Sequence, residues 1–554
     1  MSTITSTHPS LGPIKCLHDP STNLTRILGI PYATIPQRFA RSKICLHPSV
    51  HPSSSTRSTN GVFDATVPGP SSIQPFEQSE NCLTLSIHLP PQALNPDKIA
   101  FNPSAELPVL VFIHGGAYFL GSGTRPYYSP TNLLVHAIQR GKPVIFVSIT
   151  YRLGALGFLH AETAEGLVPP NNGLHDQLRA LEWIQQFIAG FGGDPDNVTA
   201  IGQSAGGESL AVLSNSEEVR ERGLFKRCII LSGSIVTMPA LTRAEHRRNF
   251  REQAEKAGIQ ITKRDGEQRD IEDTVYEMIA IDVGKIRELA WVGLPCTQTD
   301  LFPFEKPSMG MLRRGGPEEW RGRGGGGIDR IIGTTTYDGG ISFNMMSRDA
   351  NRTGHAKAFV DIATDVLGKN LGSELCELYD IENGQDDADA LQRICLFESD
   401  IGFFFAALAT GQATVNVKDT RTYFQIFDLP NPFDGPLRQQ GEFATHTFDI
   451  TTTLGGVQDH FLPKGYGPVI ASWRDKMLDF VVDGTAPCKP WDELEGRGLV
   501  IDKDGVREVE KEAYIHSDGE RRRQLMELAD RLDREEGWDV LWVDICRRFL
   551  MKGK

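Results

Sequence analysis

The feature that most constrains this 554-residue chain is the pentapeptide GQSAG at residues 202–206. The apolar run before it, residues 198–201, predicts a buried strand, and residues 205–213 after it predict the start of a helix. A serine between a strand end and a helix start occupies a sharp turn, where flanking glycines remove side chains that would collide. This turn, a nucleophile elbow, raises the Ser204 hydroxyl above the sheet and near the positive end of the new helix. The hydroxyl is therefore placed to attack a carbonyl group.

Strong apolar runs alternate with helical segments from about residue 107 onward. Two runs, residues 108–113 and 143–149, are continuous enough to predict strands buried on both faces. Strands that alternate with helices predict an α/β fold, with a large and mostly parallel central sheet flanked by helices and helical insertions. The remaining predictions are strands at 227–231, 328–333 and 421–427, and helices at 172–188, within 241–290 and over most of 492–554.

No internal repeat and no convincing linker divides the chain, so we expect residues 1–554 to form a single domain. A Ser/Pro-rich stretch at 47–61 and a Gly/Arg-rich stretch at 315–327 predict flexible surface loops.

Composition excludes several classes of function. The formal net charge of −14 argues against a nucleic-acid partner, and no apolar run is long enough to span a membrane. The first 13 residues contain no signal-peptide core, and the nine cysteines are scattered without the spacing of metal ligands. These observations predict a cytoplasmic protein with reduced thiols, without a metal or a cofactor. They leave its oligomeric state open.

A serine nucleophile needs a trap for the negative charge that develops on the attacked carbonyl. The sequence HGGAY, residues 114–118, directly follows the predicted strand at 108–113. Glycines let successive backbone N–H groups point at one spot, so we expect an oxyanion hole formed by the amides of Gly115, Gly116 and Ala205. His114 is too close to this trap to act as the base.

The serine also needs a base and an acid that orients the base, and this fold class uses the chain order Ser, acid, His. Asp338 follows the predicted strand at 328–333 in a glycine-flanked loop, which favours it as the acid. His446 lies in a loop soon after the predicted strand at 421–427, and it is the favoured base. The other histidines beyond Asp338 are His355, His516 and the reserve candidate His460.

Several longer motifs resemble type-B carboxylesterases, the family that includes cholinesterases and fungal lipases. The motifs are GIPYA at 29–33, ENCLTLSI at 80–87, YRLGALGF at 151–158 and FGGDP at 191–195. The resemblance runs over residues 26–491 and implies an α/β-hydrolase fold, a fungal-type intracellular member, and Ser204, Asp338 and His446 as the catalytic triad. In the family, the histidine is followed three residues later by an acid, as His446 is by Asp449.

Four departures from the family pattern narrow the expectation. The family acid is more often Glu, so the shorter Asp338 must approach His446 more closely. Gln203 stands where many members have Glu, which removes a charge beside the nucleophile. The cysteine matching Cys82 is paired with an upstream cysteine in secreted members, but serine replaces that partner here. Residues 71–81 also lack the Trp that cholinesterases use to bind cations, so a choline-ester specialist is not expected.

The resulting hypothesis is a serine hydrolase of carboxylic esters that forms an acyl-enzyme on Ser204 and takes a small, largely apolar substrate. Phe119, Leu120 and the run at residues 403–405 are candidates for an apolar pocket, although core packing explains the run at least as well. Acyl transfer, lactone opening or amide cleavage would use the same triad. A non-catalytic binding protein of the neuroligin type is the remaining alternative, and it is disfavoured because such relatives lack the nucleophile.

Overall fold

The computed structural model describes the chain except for residues 47–78, 96–99, 264–265, 290–292, 318–326, 348, 350, 416, 434–440, 493–494, 534–535 and 552–554. Its strands are β1 Ser2–His8, β2 Gly12–Asp19, β3 Leu24–Pro31, β4 Ala33–Thr34, β5 Lys43–Ile44, β6 Thr84–Leu89, β7 Leu94–Asn95, β8 Ala100–Phe101, β9 Leu107–Ile113, β10 Ile145–Ile149, β11 Gly193–Gln203, β12 Arg227–Leu231, β13 Asp329–Thr335, β14 Thr422–Phe427, β15 Arg497–Asp502 and β16 Gly505–Glu510.

The α-helices are α1 Thr131–Gln139, α2 Gly154–Phe158, α3 Asn172–Phe187, α4 Ala205–Leu213, α5 Glu217–Arg222, α6 Arg243–Lys256, α7 Ile271–Ala280, α8 Val283–Arg287, α9 Met309–Arg313, α10 Gly340–Met346, α11 His355–Leu378, α12 Asp387–Glu398, α13 Phe405–Val415, α14 Phe448–Leu454, α15 Gln458–Phe461, α16 Gly467–Asp483, α17 Lys511–Ile515, α18 Arg521–Leu532, α19 Gly537–Asp539 and α20 Arg548–Leu550. Two π-helical segments, Ser399–Phe404 and Val540–Arg547, continue α12 and α19.

A twelve-stranded sheet organises the molecule in the order β1-β2-β3-β6-β10-β9-β11-β12-β13-β14-β15-β16. The seven strands from β10 to β15 pair in parallel, whereas β1, β2, β3 and β6 on one side and β16 on the other pair antiparallel. Parallel strands end at the same edge of a sheet, and loops at their carboxyl ends are where α/β proteins place ligands. The predicted fold class is therefore confirmed.

The central strands are buried on both faces, which explains their unbroken apolar sequence. In β9, Val109 and Val111 pack into one large core cluster, while Leu110 and Phe112 between them pack into a second cluster on the other face. Successive side chains of a strand point to opposite faces, so each face of the sheet must be covered by its own layer of helices.

The predicted central strands and the helices α3 and α4 lie at their predicted positions within a few residues. The prediction for the tail was wrong in part, because β15 and β16 precede its helices. β16 has charged side chains at an exposed sheet edge and lacks the apolar alternation that would predict a strand. Of the two predicted flexible loops, 47–61 lies wholly outside the described residues and 315–327 lies mostly outside them.

The expectation that no apolar run is long enough to span a membrane was wrong for one helical stretch of the described residues, Asp387–Val415, which is long and apolar enough by length and composition. Its most apolar window is 94% buried inside the protein, which is the environment of a core helix. Phe404 and Phe405 of this stretch belong to the core, so core packing accounts for two of the three phenylalanines in the run at 403–405.

Candidate active site

Ser204 occupies the sharp turn between β11 and α4 that the sequence predicts. Its backbone angles, φ +57° and ψ −126°, lie in a region that residues with a side chain rarely adopt. The turn is held from both sides, because the Ser204 N–H donates to the carbonyl of Leu231 at 2.8 Å and its own carbonyl accepts from the N–H of Glu208 at 2.8 Å. The surrounding sheet and helix therefore keep the serine in this strained position.

The two glycines of the pentapeptide are required by close approach of backbone to backbone. A Cβ on Gly202 would lie 2.3 Å from the carbonyl oxygen of Gly206, and a Cβ on Gly206 would lie 2.1 Å from the carbonyl oxygen of Ile113. Both distances are far below van der Waals contact, and neither involves a side chain that could rotate away. The elbow is therefore packed directly against the end of β9, where the glycine loop begins.

The loop after β9 places Gly115 and Gly116 against the elbow. A Cβ on Gly115 would lie 2.8 Å from Ser204 Cβ, and Gly116 has φ +114°, which favours glycine. Within the described part of the chain, the N–H groups of Gly115, Gly116 and Ala205 have no acceptor. Backbone donors beside a serine at the start of a helix are the groups that an oxyanion hole requires.

His114 fixes the orientation of this loop. Its Nδ1 lies 2.8 Å from the carbonyl oxygen of Gly115, its ring stacks on Tyr151, and the Tyr151 hydroxyl donates to the His114 carbonyl at 2.8 Å. A trans peptide points its N–H away from its C=O, so holding the Gly115 carbonyl on one side turns the Gly116 N–H to the other. Burial lowers the pKa of His114 to about 4, which keeps the ring neutral. The expectation that His114 is not the base agrees with this arrangement.

Asp338 and His446 lie 108 residues apart, and the loops after β13 and β14 bring them together. The loops extend the parallel pairing of their strands, because the Tyr337 N–H donates to the Ala444 carbonyl at 3.0 Å and Tyr337 forms an isolated bridge with Thr445. Each bridging residue directly precedes one member of the pair. The register of two neighbouring strands thus determines the contact.

The contact itself is short and buried. His446 Nδ1 lies 2.7 Å from Asp338 Oδ1, and the two side chains are 2% and 0% exposed. Asp338 Oδ2 accepts from the N–H of Thr335 at 2.9 Å, which fixes the carboxylate in its loop. The aspartate thus reaches the imidazole despite being one methylene shorter than the Glu that is more common in the family.

The other candidate histidines lie elsewhere in the structure. His355 begins α11 near Asp387, His516 lies 3.8 Å from Glu512, and the ring of the reserve candidate His460 packs on Phe433.

Two buried carboxyls beside the Asp338–His446 pair were not singled out as functional by the sequence reasoning. Asp449 accepts from the Ile450 N–H at 2.7 Å through Oδ1, and burial together with the charge of Asp338 raises its pKa to about 7. Glu398 accepts from Ser342 at 2.8 Å, and burial raises its pKa to about 8, with Asp338 adding to the shift. Of these two carboxyls, the sequence indicated only Asp449, through its position three residues after His446.

Gln203 makes a contact that the sequence does not reveal. Its Nε2 lies 3.1 Å from His446 Nε2, and both side chains are buried. Among the described residues, no hydrogen bond joins Ser204 Oγ to His446. Phe403 lies with its ring centroid 5.4 Å from that of His446, so this one phenylalanine of the run borders the site. Phe119 and Leu120 are half-buried beyond the glycine loop.

Fold and site together define an α/β-hydrolase architecture with a serine elbow, a glycine loop beside it and a buried Asp–His pair. The model of the carboxylesterase family matches residues 10–458, which include every residue of this site. The chain therefore belongs to the carboxylesterase family.

Individual relatives support the assignment over parts of the chain. Para-nitrobenzyl esterase of Bacillus subtilis is 32% identical over 63% of this chain and 66% of its own length. Esterase FE4 of Myzus persicae is 41% identical, but over 37% of this chain and 34% of its own length. Lipase 1 of Geotrichum candidum is 40% identical over 28% of this chain. The chain thus spans about two thirds of the bacterial relative and about a third of the insect one. A solved PNB esterase covers 94% of this chain with a TM-score of 0.66 at 22% identity, which supports the fold alone.

Proposed function

We propose that this chain is a serine hydrolase of carboxylic esters that works through an acyl-enzyme on Ser204. The observation that carries the proposal is the buried 2.7 Å contact between His446 Nδ1 and Asp338 Oδ1 next to a strained serine elbow. The aspartate holds the proton on Nδ1, so the lone pair of the imidazole is on Nε2, the atom that must accept the Ser204 proton.

The chemistry proceeds in two halves. Ser204 Oγ attacks the ester carbonyl carbon while His446 Nε2 takes its proton, and the carbonyl oxygen gains negative charge in front of the N–H groups of Gly115, Gly116 and Ala205. The His446 proton then passes to the leaving alkoxide as the C–O bond breaks. A water, deprotonated by His446, then attacks the acyl carbon. The bond from that carbon to Ser204 Oγ breaks, and His446 returns the proton to Oγ as the acid leaves.

The substrate that we propose is a small, largely apolar ester. Phe403 beside His446 and the apolar residues Phe119 and Leu120 beyond the glycine loop support this chemistry. Names such as para-nitrobenzyl esterase and juvenile hormone esterase among the relatives agree with an ester substrate and leave the acyl and alcohol groups open.

A reducing, cytoplasmic location is part of the proposal. Cys82, for which the sequence offered no disulfide partner, is a buried free thiol. Burial raises the pKa of the Cys82 thiol, which makes it an inert core residue.

Hydrolysis of 4-nitrophenyl esters of increasing acyl length tests the proposal, with Ser204→Ala as the inactive variant. Ser129→Ala is a matched control, because the Ser129 hydroxyl contacts only Thr131 within the described residues. A fluorophosphonate should add one adduct mass to the wild type and to the control, and none to Ser204→Ala. Full ester hydrolysis by Ser204→Ala would refute the mechanism, and product analysis with a competing alcohol separates hydrolysis from acyl transfer.

A further inference from the structure

The base of the proposed reaction is contacted on both nitrogens. Asp338 accepts from His446 Nδ1 at 2.7 Å, and the carboxamide of Gln203 lies 3.1 Å from His446 Nε2 through its own Nε2. An amide N–H can only donate, so the Gln203 contact is a hydrogen bond only while His446 Nε2 carries a lone pair. The contact therefore belongs to the neutral form of the imidazole.

The Gln203 side chain is confined in this position. Gln203 is fully buried, and it is the last residue of β11, directly before Ser204. Its Oε1 lies 3.1 Å from the position that a Cβ on Gly115 would occupy. Oε1 has no hydrogen-bond partner among the described residues. The amide is thus wedged between the base and the glycine loop, and its one polar contact is to the atom that must accept the serine proton.

We propose that Gln203 is a positioning residue that holds His446 in its neutral form by donating to the Nε2 lone pair directly beside the serine elbow. The inference rests on the proposed function, since it assigns His446 the part of general base. A hydrogen bond to the neutral form of a titrating group disfavours the charged form. Removing the Gln203 donor should therefore favour protonation of His446 relative to the wild type.

The charged surroundings of His446 come from three other elements. Asp338 in the loop after β13 contacts Nδ1, Glu398 on α12 lies beside Asp338, and Asp449 on α14 lies close enough to interact with both Asp338 and His446. Asp449 has a pKa of about 7 and adds to the pH dependence of the wild type. The contribution of Gln203 is therefore measured by the difference in pH between the acid limbs of the variant and wild-type kcat/KM profiles, and not by the absolute position of either limb.

The decisive variant is Gln203→Met, which keeps the length of the side chain and removes the donor. The acid limb of its kcat/KM profile should move to higher pH by about 0.4–1 unit, the equivalent of one neutral hydrogen bond. Gln203→Glu should move the limb further in the same direction, because a carboxylate accepts from protonated Nε2. A purely structural role would lower the plateau of activity or the melting temperature without displacing the limb.

Gln253 on α6 provides a matched control. It is also a buried glutamine whose Nε2 makes one hydrogen bond, to Asn249 at 3.2 Å, and whose Oε1 has no partner in the described structure. Gln253→Met should leave the acid limb in place. A Gln203→Met limb that coincides with the wild type within about 0.2 pH unit would overturn the proposal.

A second measurement separates this inference from the proposed function. NMR titration of ¹³C-histidine-labelled enzyme follows the His446 ring directly, with the signal assigned by its loss in His446→Asn. The His446 midpoint should be higher in Gln203→Met than in the wild type whether or not any ester is hydrolysed. Equal midpoints would refute the role of Gln203, while activity retained by Ser204→Ala would refute the proposed function alone.

Discussion

Replacing Gly115 by Ala tests the oxyanion loop with a single methyl group. The new Cβ would lie 2.5 Å from the Gln203 carbonyl oxygen and 2.8 Å from Ser204 Cβ. Neither neighbour can rotate away, because Gln203 ends a central strand and Ser204 is tied to Leu231. Restoring an ordinary contact of 3.4 Å to the Gln203 oxygen requires the loop to retreat by roughly 0.9 Å. A misplacement of about 1 Å, or the loss of one oxyanion donor, costs on the order of 10²–10³ in rate.

We therefore expect kcat/KM of Gly115→Ala to fall by about 10²–10³, with KM close to wild type because ground-state binding does not use these donors. Affinity for a trifluoromethyl ketone, which forms a tetrahedral adduct on the serine, should fall in parallel. Gly467→Ala is the control, since its Cβ would meet only the flexible end of Leu462 at 3.2 Å. Wild-type kcat/KM in a folded Gly115→Ala enzyme would refute the assignment of this loop.

Substitutions at three aspartates probe the site and the core. Asp338→Asn should lower kcat by about 10⁴, the loss typical of the wrong histidine tautomer, while Asp338→Glu should retain part of the activity; steady-state kinetics decides. Asp449→Asn should raise the free energy of unfolding, measured in urea, more at pH 8 than at pH 5, and the two increments should differ by about 1–3 kcal/mol. The reason is that the raised pKa of about 7 makes wild-type stability fall as pH rises from the unfolded value of 3.8 towards 7. An equal difference in unfolding free energy between Asp449→Asn and the wild type at pH 8 and at pH 5 would contradict this reasoning. Arg152 is buried with Asp176 as its partner at 2.7 Å, so Asp176→Ala leaves a buried charge without a counter-charge. The free energy of unfolding should therefore fall by about 3–5 kcal/mol.

Patterns confined to neighbouring residues were readable in the sequence. The strand β12 and the helix α4 lie within the predicted limits because an unbroken apolar run and a helix start are local signals. The glycines of the elbow were predicted for the same reason, since steric exclusion within five residues requires them. Strand β16 was missed because its pairing with β15 at the sheet edge, and not its own charged sequence, makes it a strand.

The sequence by itself determined the chemical inventory of this protein: a serine on a turn, a glycine pair after a strand, and an acid and a histidine downstream in that order. Only the tertiary structure decided which groups meet. The pairing of the loops after β13 and β14 selects His446 over His460 as the partner of Asp338, because strand register fixes contacts between residues over 100 positions apart. The same packing places the Gln203 amide on the second nitrogen of His446, a contact that no local pattern encodes.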